Sequence, residues 1–189
     1  QMLIHLLMIT GCRRGEIVGL KWDRVNWEES SIHIDTTLLY TPDRGVYEST
    51  TKTGAERIIK LPQETMNLFR EYRCWQLETR LAMGDRWQET PYVFTGECGG
   101  HMAPDTVSGY LTRFERKYCL PHVHAHKFRH SMASVLYFSG ADPVSISKRL
   151  GHAQVSTTQN IYSHLIEQAD TQSAERIADA IFRTERKPG

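Results

Sequence analysis

A chain of 189 residues, 40% hydrophobic and 24% charged with a formal net charge of +1, has room for one sizeable core and the composition of an ordinary globular domain. Its longest apolar stretch, Met2 to Ile9, is too short to span a bilayer and lacks the pattern of a secretion signal, so a cytoplasmic location is expected. A net charge near zero also withholds the strongly basic signature of a nucleic-acid binder, and charge has to be judged by position along the chain.

The first residue is Gln1, and apolar residues then run to Thr10 before Gly11. The pattern predicts a buried helix in a chain that starts inside a longer protein. A second helix is expected from about Arg13 to Trp22. Ile32, Ile34 and the Thr36–Thr37 pair predict a strand within Trp27 to Leu39. Val46 to Lys52 and Arg57 to Leu61 flank a turn-like Thr53-Gly54-Ala55, which predicts a hairpin completing one small antiparallel sheet. After Pro62, Leu68, Tyr72, Trp75 and Thr79 recur at helical spacing up to Gly84, and Tyr92 to Thr95 forms a brief extended stretch. Leu111, Phe114 and Tyr118 mark one face of a further helix. Helices are also expected over His126–Ser139, Pro143–Leu150 and Val155–Tyr162, with Gly140 and Gly151 closing the first two. The tail from Leu165 to Phe182 is amphipathic through Ile166, Ala169, Ile177 and Ile181. The expected fold class is mixed, mainly α with a small antiparallel β-sheet. Residues 1–189 form one domain, with 165–189 as a C-terminal tail helix. Cys12, Cys74, Cys98 and Cys119 form no C-x-x-C pair and are expected as reduced thiols.

Four clusters carry chemistry, and each also has an ordinary structural reading. In Thr10-Gly-Cys-Arg-Arg-Gly-Glu16, Arg13 and Glu16 share one helical face. That spacing suits a surface ion pair, or an arginine held near a helix start where an anion binds. Lys52, in Thr51-Lys-Thr-Gly54, sits on a turn, where lysine is ordinarily solvated. His122, His124 and His126 alternate, which invites a zinc reading, but the segment runs into a helix and no Cys or carboxylate follows at ligand spacing. His126 and Arg129, three apart, instead face one point, as a phosphate with two non-bridging oxygens requires. Leu150-Gly-His152, then Thr157-Thr158 and Tyr162-x-His164, could be a helix-turn-helix. Alternatively it delivers a phenol whose reference pKa near 10 needs surrounding cations to act as a nucleophile.

Two arginines, a lysine, two histidines and a tyrosine are together what metal-free phosphoryl transfer requires: cations to neutralise the transition state, and an acid to protonate the leaving oxygen. Three alternatives stand beside this one. They are a non-enzymatic helix-turn-helix-like DNA-binding module, a zinc hydrolase built on His122, His124 and His126, and strand passage in the manner of a type IB topoisomerase.

The ordered set Thr10-Gly-x-Arg13-x-x-Glu16-Ile-x-x-Leu20-x-Trp22-x-x-Val25, Thr51-Lys52-Thr53, His126-x-x-Arg129-His130-Ser131, Leu150-Gly-His152 and Tyr162-x-His164 closely resembles the tyrosine recombinase, or phage integrase, family. The resemblance implies the catalytic-domain fold of that family and a site-specific recombinase that cleaves and rejoins DNA through a 3′-phosphotyrosine, integrating or excising a mobile element. By that resemblance Tyr162 is the nucleophile, Arg13 and Arg129 grip the scissile phosphate, and Lys52 is the general acid. His126 and His152 contact the phosphate, and Glu16 supports the site without reacting. The resemblance further implies no metal and no nucleotide cofactor, double-stranded DNA as partner, a homotetramer on paired sites and accessory DNA-bending proteins. It also implies a missing N-terminal core-binding domain.

Overall fold

The computed structural model describes residues 1–50, 56–122 and 124–151. The apolar run at the start forms α1 (Met2–Thr10), whose Leu6 and Leu7 are wholly buried, and Gly11 closes it in the left-handed conformation. His5 reaches Thr65 at 2.9 Å, tying α1 to α3 (Gln63–Met83). A five-residue helix follows, α2 (Arg14–Val18). It is shorter than the helix expected to Trp22: Gly19 caps it onto the Gly15 carbonyl, and Lys21 pairs in an isolated bridge with Tyr92.

The strands correct the sequence reading in their pairing. Among the described residues five short strands, β1 (Val25–Asn26), β2 (Ser31–Ile34), β3 (Thr36–Thr41), β4 (Gly45–Thr50) and β5 (Arg57–Lys60), make two antiparallel sheets, one ordered β1-β2-β5 and one of β3-β4. The expected β4–β5 hairpin is not formed. Instead β4 pairs with β3 from Thr36↔Thr50 to Thr41↔Gly45, and β5 pairs with β2 from Ser31↔Lys60 to Ile34↔Arg57. The reason lies in the turn: Pro42 presets its own φ, Asp43 favours a turn, and Gly45 accepts a φ of 67°. Thr51-Lys52-Thr53-Gly54-Ala55 lies outside the described residues, as do Val155–Tyr162 and the tail at 165–182.

The helical faces also differ from expectation. On α3 the buried residues are Thr65, Met66, Phe69 and Gln76, while Trp75 is exposed. On α4 (Pro104–Tyr118) they are Val107, Leu111 and Glu115, while the tilted rings of Phe114 and Tyr118 meet at the surface. The spacing of Leu68 and Tyr72 does lead inward, since both pack against the core beside the buried Phe69, whereas Trp75 points outward. α5 (Ala125–Phe138) and α6 (Pro143–Leu150) follow as expected, α6 beginning on an Asp142 cap and ending at Gly151. α5 packs on α1, α6 packs on α5 and β5, and α2 packs on β3. Among the described residues no helix is long and apolar enough to cross a membrane.

The α2–β3 contact is unusually close. A Cβ added at Gly15 would stand 2.5 Å from both the Leu38 carbonyl oxygen and Thr37 Oγ1. The backbone oxygen cannot swing aside as a flexible side chain would. Gly15→Ala should therefore destabilise the protein by about 1–3 kcal/mol, the usual cost of overpacking, read as a lower denaturant midpoint. An unchanged midpoint would mean that α2 does not need this approach.

Candidate active site

The turn after α1 fixes the first arginine. Arg13 is extended (φ −70°, ψ 156°) as it enters α2. Its backbone N–H donates to Glu16 Oε2 at 2.9 Å and its Nη1 to Glu16 Oε1 at 2.8 Å. This is not the surface ion pair that spacing alone allows, because Glu16 is only 1% exposed. A second arginine, which the sequence reading did not single out, completes the arrangement. Arg57 Nη2 donates to Glu16 Oε2 at 2.6 Å and its Nη1 to Oε1 at 3.3 Å, so each carboxylate oxygen is shared between two arginines. Arg57 Nε donates to the Arg149 carbonyl at the end of α6 at 2.9 Å, and Nη2 reaches Cys12 Sγ at 3.3 Å.

Burying a carboxylate costs several kcal/mol unless it is paired and hydrogen-bonded. Burial alone would raise the Glu16 pKa, but hydrogen bonds and charge from Arg57, with the Arg13 hydrogen bonds, outweigh it and hold Glu16 below the usual carboxylate range. Burial pushes the Cys12 thiol up, against the opposing influence of Arg57. Cys12 is therefore a neutral neighbour, and Glu16 supplies the negative charge that holds Arg57.

Arg129 arrives from α5 and is 3% exposed. Its Nη1 donates to the Gly11 carbonyl at 2.9 Å and its Nη2 to the Leu150 carbonyl at 2.7 Å. It thus bridges the turn that carries Arg13 and the end of α6. Burial, then the nearby Arg13 charge, pushes the Arg129 pKa down to about 10, which leaves it a cation at neutral pH. Three arginines against one buried carboxylate give this corner an excess of positive charge. His126, at the start of α5, shares it: burial, then His130, Arg129 and Arg13, lower its pKa, so at neutral pH it carries an unprotonated nitrogen able to accept a proton.

Arg13, Glu16 and His126 line a cleft of about 720 Å³, whose other wall includes Thr37 and Tyr40 from β3 and Ser49 from β4. Arg129 is not among its lining residues; its guanidinium is placed at the Gly11 carbonyl, one turn away from Arg13. Of the expected site residues, Arg13, Glu16, His126 and Arg129 therefore come together. Lys52, His152 and Tyr162 lie outside the described residues. The alternating histidines do not converge. His122 Nδ1 meets Glu115 at 2.9 Å with the His124 ring against it, whereas His126 packs against His130. Among the described residues, no three His, Cys, Asp or Glu side chains gather as metal ligands.

The helical domain thus brings Arg13, at the entry to α2, and Arg129 of α5 to one turn, beside a cleft walled by a small sheet. The description "Phage integrase family" matches residues 1–169, and the chain belongs to that family. A tyrosine recombinase XerC-like protein of Caldanaerobacter subterraneus subsp. tengcongensis is 28% identical over 94% of this chain and 48% of its own length. Transposase A from transposon Tn554 of Staphylococcus aureus is 30% identical over 89% of this chain and 44% of its own. The chain thus spans about half the length of these relatives. Among solved structures, the XerA recombinase is similar with a TM-score of 0.67 and 25% identity, covering 100% of this chain and 58% of that one. The Tn1549 transposon integrase in complex with transposon right end DNA has a TM-score of 0.71 at 24% identity, covering 94% and 58%.

The Glu16 pairing has a pH signature. The folded-state pKa of Glu16 is depressed, so the stability it contributes is complete above its unfolded value, about 4.3, and is lost as pH falls through the lower folded value. Glu16→Gln should lose about 3–5 kcal/mol at neutral pH, as breaking one side of a buried pair does. The gap between wild type and variant should close as urea titrations move below pH 4. A gap independent of pH would show that shape, and not charge, is what Glu16 supplies.

Proposed function

We propose that this chain is the strand-cleaving domain of a site-specific DNA recombinase, working through a covalent 3′-phosphotyrosine without a metal or nucleotide cofactor. The observation that carries the reading is the convergence of Arg13 and Arg129, from distant parts of the chain, on one turn beside a cleft. Two clamped guanidinium forks suit the two non-bridging oxygens of a phosphodiester. Membership of the phage integrase family supports it independently.

In this reading the Tyr162 phenol oxygen attacks the scissile phosphorus while Arg13 and Arg129 neutralise the charge that builds on the non-bridging oxygens. The bond to the 5′ oxygen breaks, and Lys52 gives that oxygen its proton. The products are a 3′-phosphotyrosine and a free 5′-hydroxyl. Because the phosphotyrosine is itself a phosphodiester, a 5′-hydroxyl from a second strand can reverse the step with no outside energy source. His126 and His152 contact the phosphate, His126 also exchanging the phenol proton, and Glu16 holds Arg13 without reacting. Double-stranded DNA carrying recombination sites is the partner, with a homotetramer on paired sites, accessory DNA-bending proteins and cytoplasmic action on a mobile element. Residues 1–189 act as one catalytic domain, with 165–189 as its tail and a separate core-binding domain preceding it in the full protein.

The test is a full-length protein incubated in EDTA with a nicked duplex that loses a short fragment on cleavage. Wild type should give a detergent-resistant, protease-sensitive adduct on a 3′ phosphate. Tyr162→Phe should bind DNA equally and give none. An adduct that persists in Tyr162→Phe, or cleavage that needs Mg²⁺, would overturn the reading.

A further inference from the structure

One heavily bonded side chain in the corner, Arg57, has no part in the proposed chemistry. Arg57 is 7% exposed and carries a pKa above the ordinary arginine value: burial opposes this, but the hydrogen-bonded Glu16 carboxylate holds the charge on Arg57. A buried cation with this many partners is either a fold staple or a positioning device, and its contacts favour the second. Its two terminal nitrogens meet the same two carboxylate oxygens that hold Arg13 by side chain and backbone. Its third nitrogen meets the Arg149 carbonyl, one residue before the Leu150 carbonyl that anchors Arg129. Gly151, at φ 66°, presses on the same guanidinium: a Cβ there would stand 2.8 Å from Arg57 Nη1. A staple for the fold needs only one of these contacts. Arg57 instead joins the holder of one arginine to the holder of the other.

We propose that Arg57 is a positioning residue that sets the spacing between Arg13 and Arg129, through the Glu16 carboxylate on one side and the last turn of α6 on the other. The proposal rests on the reading of those two arginines as the phosphate grip. Lysine at this position keeps the charge but has one nitrogen in place of three. It can meet Glu16 or the Arg149 carbonyl, and cannot bridge them. Loss of the bridge lets Arg13 drift relative to Arg129, and a displacement of about 1 Å in a reacting group is enough to slow a reaction about 100-fold.

The experiment is single-turnover adduct formation by the full-length protein on two nicked duplexes, one with a normal scissile phosphate and one with a methylphosphonate. The methylphosphonate has lost one charged oxygen, so its transition state depends less on two well-placed arginines. Arg57→Lys should bind both duplexes like wild type and cleave normal DNA about 100-fold more slowly, with most of the deficit gone on the methylphosphonate. Arg149→Lys is the control: the Arg149 side chain is half-buried beside Arg57 but among the described residues bonds the Ile9 and Lys60 carbonyls and not Glu16, and any deficit it has should be equal on the two duplexes. If Arg57→Lys does not fold, Arg57→Gln, which keeps an N–H donor for Glu16 but is too short to reach the Arg149 carbonyl as well, takes the same comparison. A folded Arg57→Lys that cleaves normal DNA at the wild-type rate, or is equally slow on both duplexes, overturns the positioning role. Wild type that forms no adduct on normal DNA instead overturns the recombinase reading beneath it.

Discussion

One buried carboxylate organises this corner of the molecule. Glu16 has almost no access to water, and its charge persists because two arginines divide its oxygens between them. The desolvation of such a charge is severe and is offset only when geometry and hydrogen bonding are nearly complete. That requirement makes Glu16 a structural reference point. Arg13 cannot leave without exposing a deficit, and Arg57 cannot leave without stranding a buried anion. Arg57 carries the constraint onward to α6, and Arg129 ties α6 back to the turn at Gly11. The loop of constraints is closed.

Such closure suits a site that must neutralise charge appearing only in a transition state. Guanidinium groups that are already oriented need no reorganisation at the moment of reaction, whereas solvated arginines would have to be ordered each time. The same architecture explains why much of the polar bonding runs to backbone carbonyls at helix ends. The carbonyls of Gly11, Arg149 and Leu150 lie where α1 and α6 finish, and these groups lack partners within their own helices. Arginine satisfies them, and in return they fix the arginine.

Much of the fold was legible in the sequence because periodicity and glycine punctuation speak directly to it. α1 ends at Gly11, α3 at Gly84 and α6 at Gly151, each where the sequence marks a stop. Strand pairing was less legible, since which runs pair is decided by turns. Pro42-Asp43-Arg44-Gly45 won over the softer Thr53-Gly54-Ala55 signal, and with it the single expected sheet became two. Aromatic residues misled for a different reason. Phe114 and Tyr118 share the stripe of the buried Val107 and Leu111, but they stand in the last two turns of α4, where they are partly exposed. In the site, Arg13, Glu16, His126 and Arg129 stand out through spacing and resemblance. Arg57 does not, because Arg57-Ile58-Ile59-Lys60 offers an isoleucine in either strand phase. The phase chosen buries Arg57 and Ile59 and exposes Ile58, and the Glu16 charge with the Arg149 carbonyl makes an inward arginine favourable.

The measurement that tests this arrangement most directly is a crystal structure of the full-length protein on nicked DNA with vanadate standing in for the pentacoordinate phosphorus. Non-bridging vanadate oxygens should accept hydrogen bonds from both Arg13 and Arg129, with Glu16 and Arg57 still joined and neither arginine displaced from its place here. Vanadate bound away from either arginine, or an Arg13 that reaches it only by abandoning Glu16, would contradict the idea that a buried carboxylate sets the phosphate grip in advance.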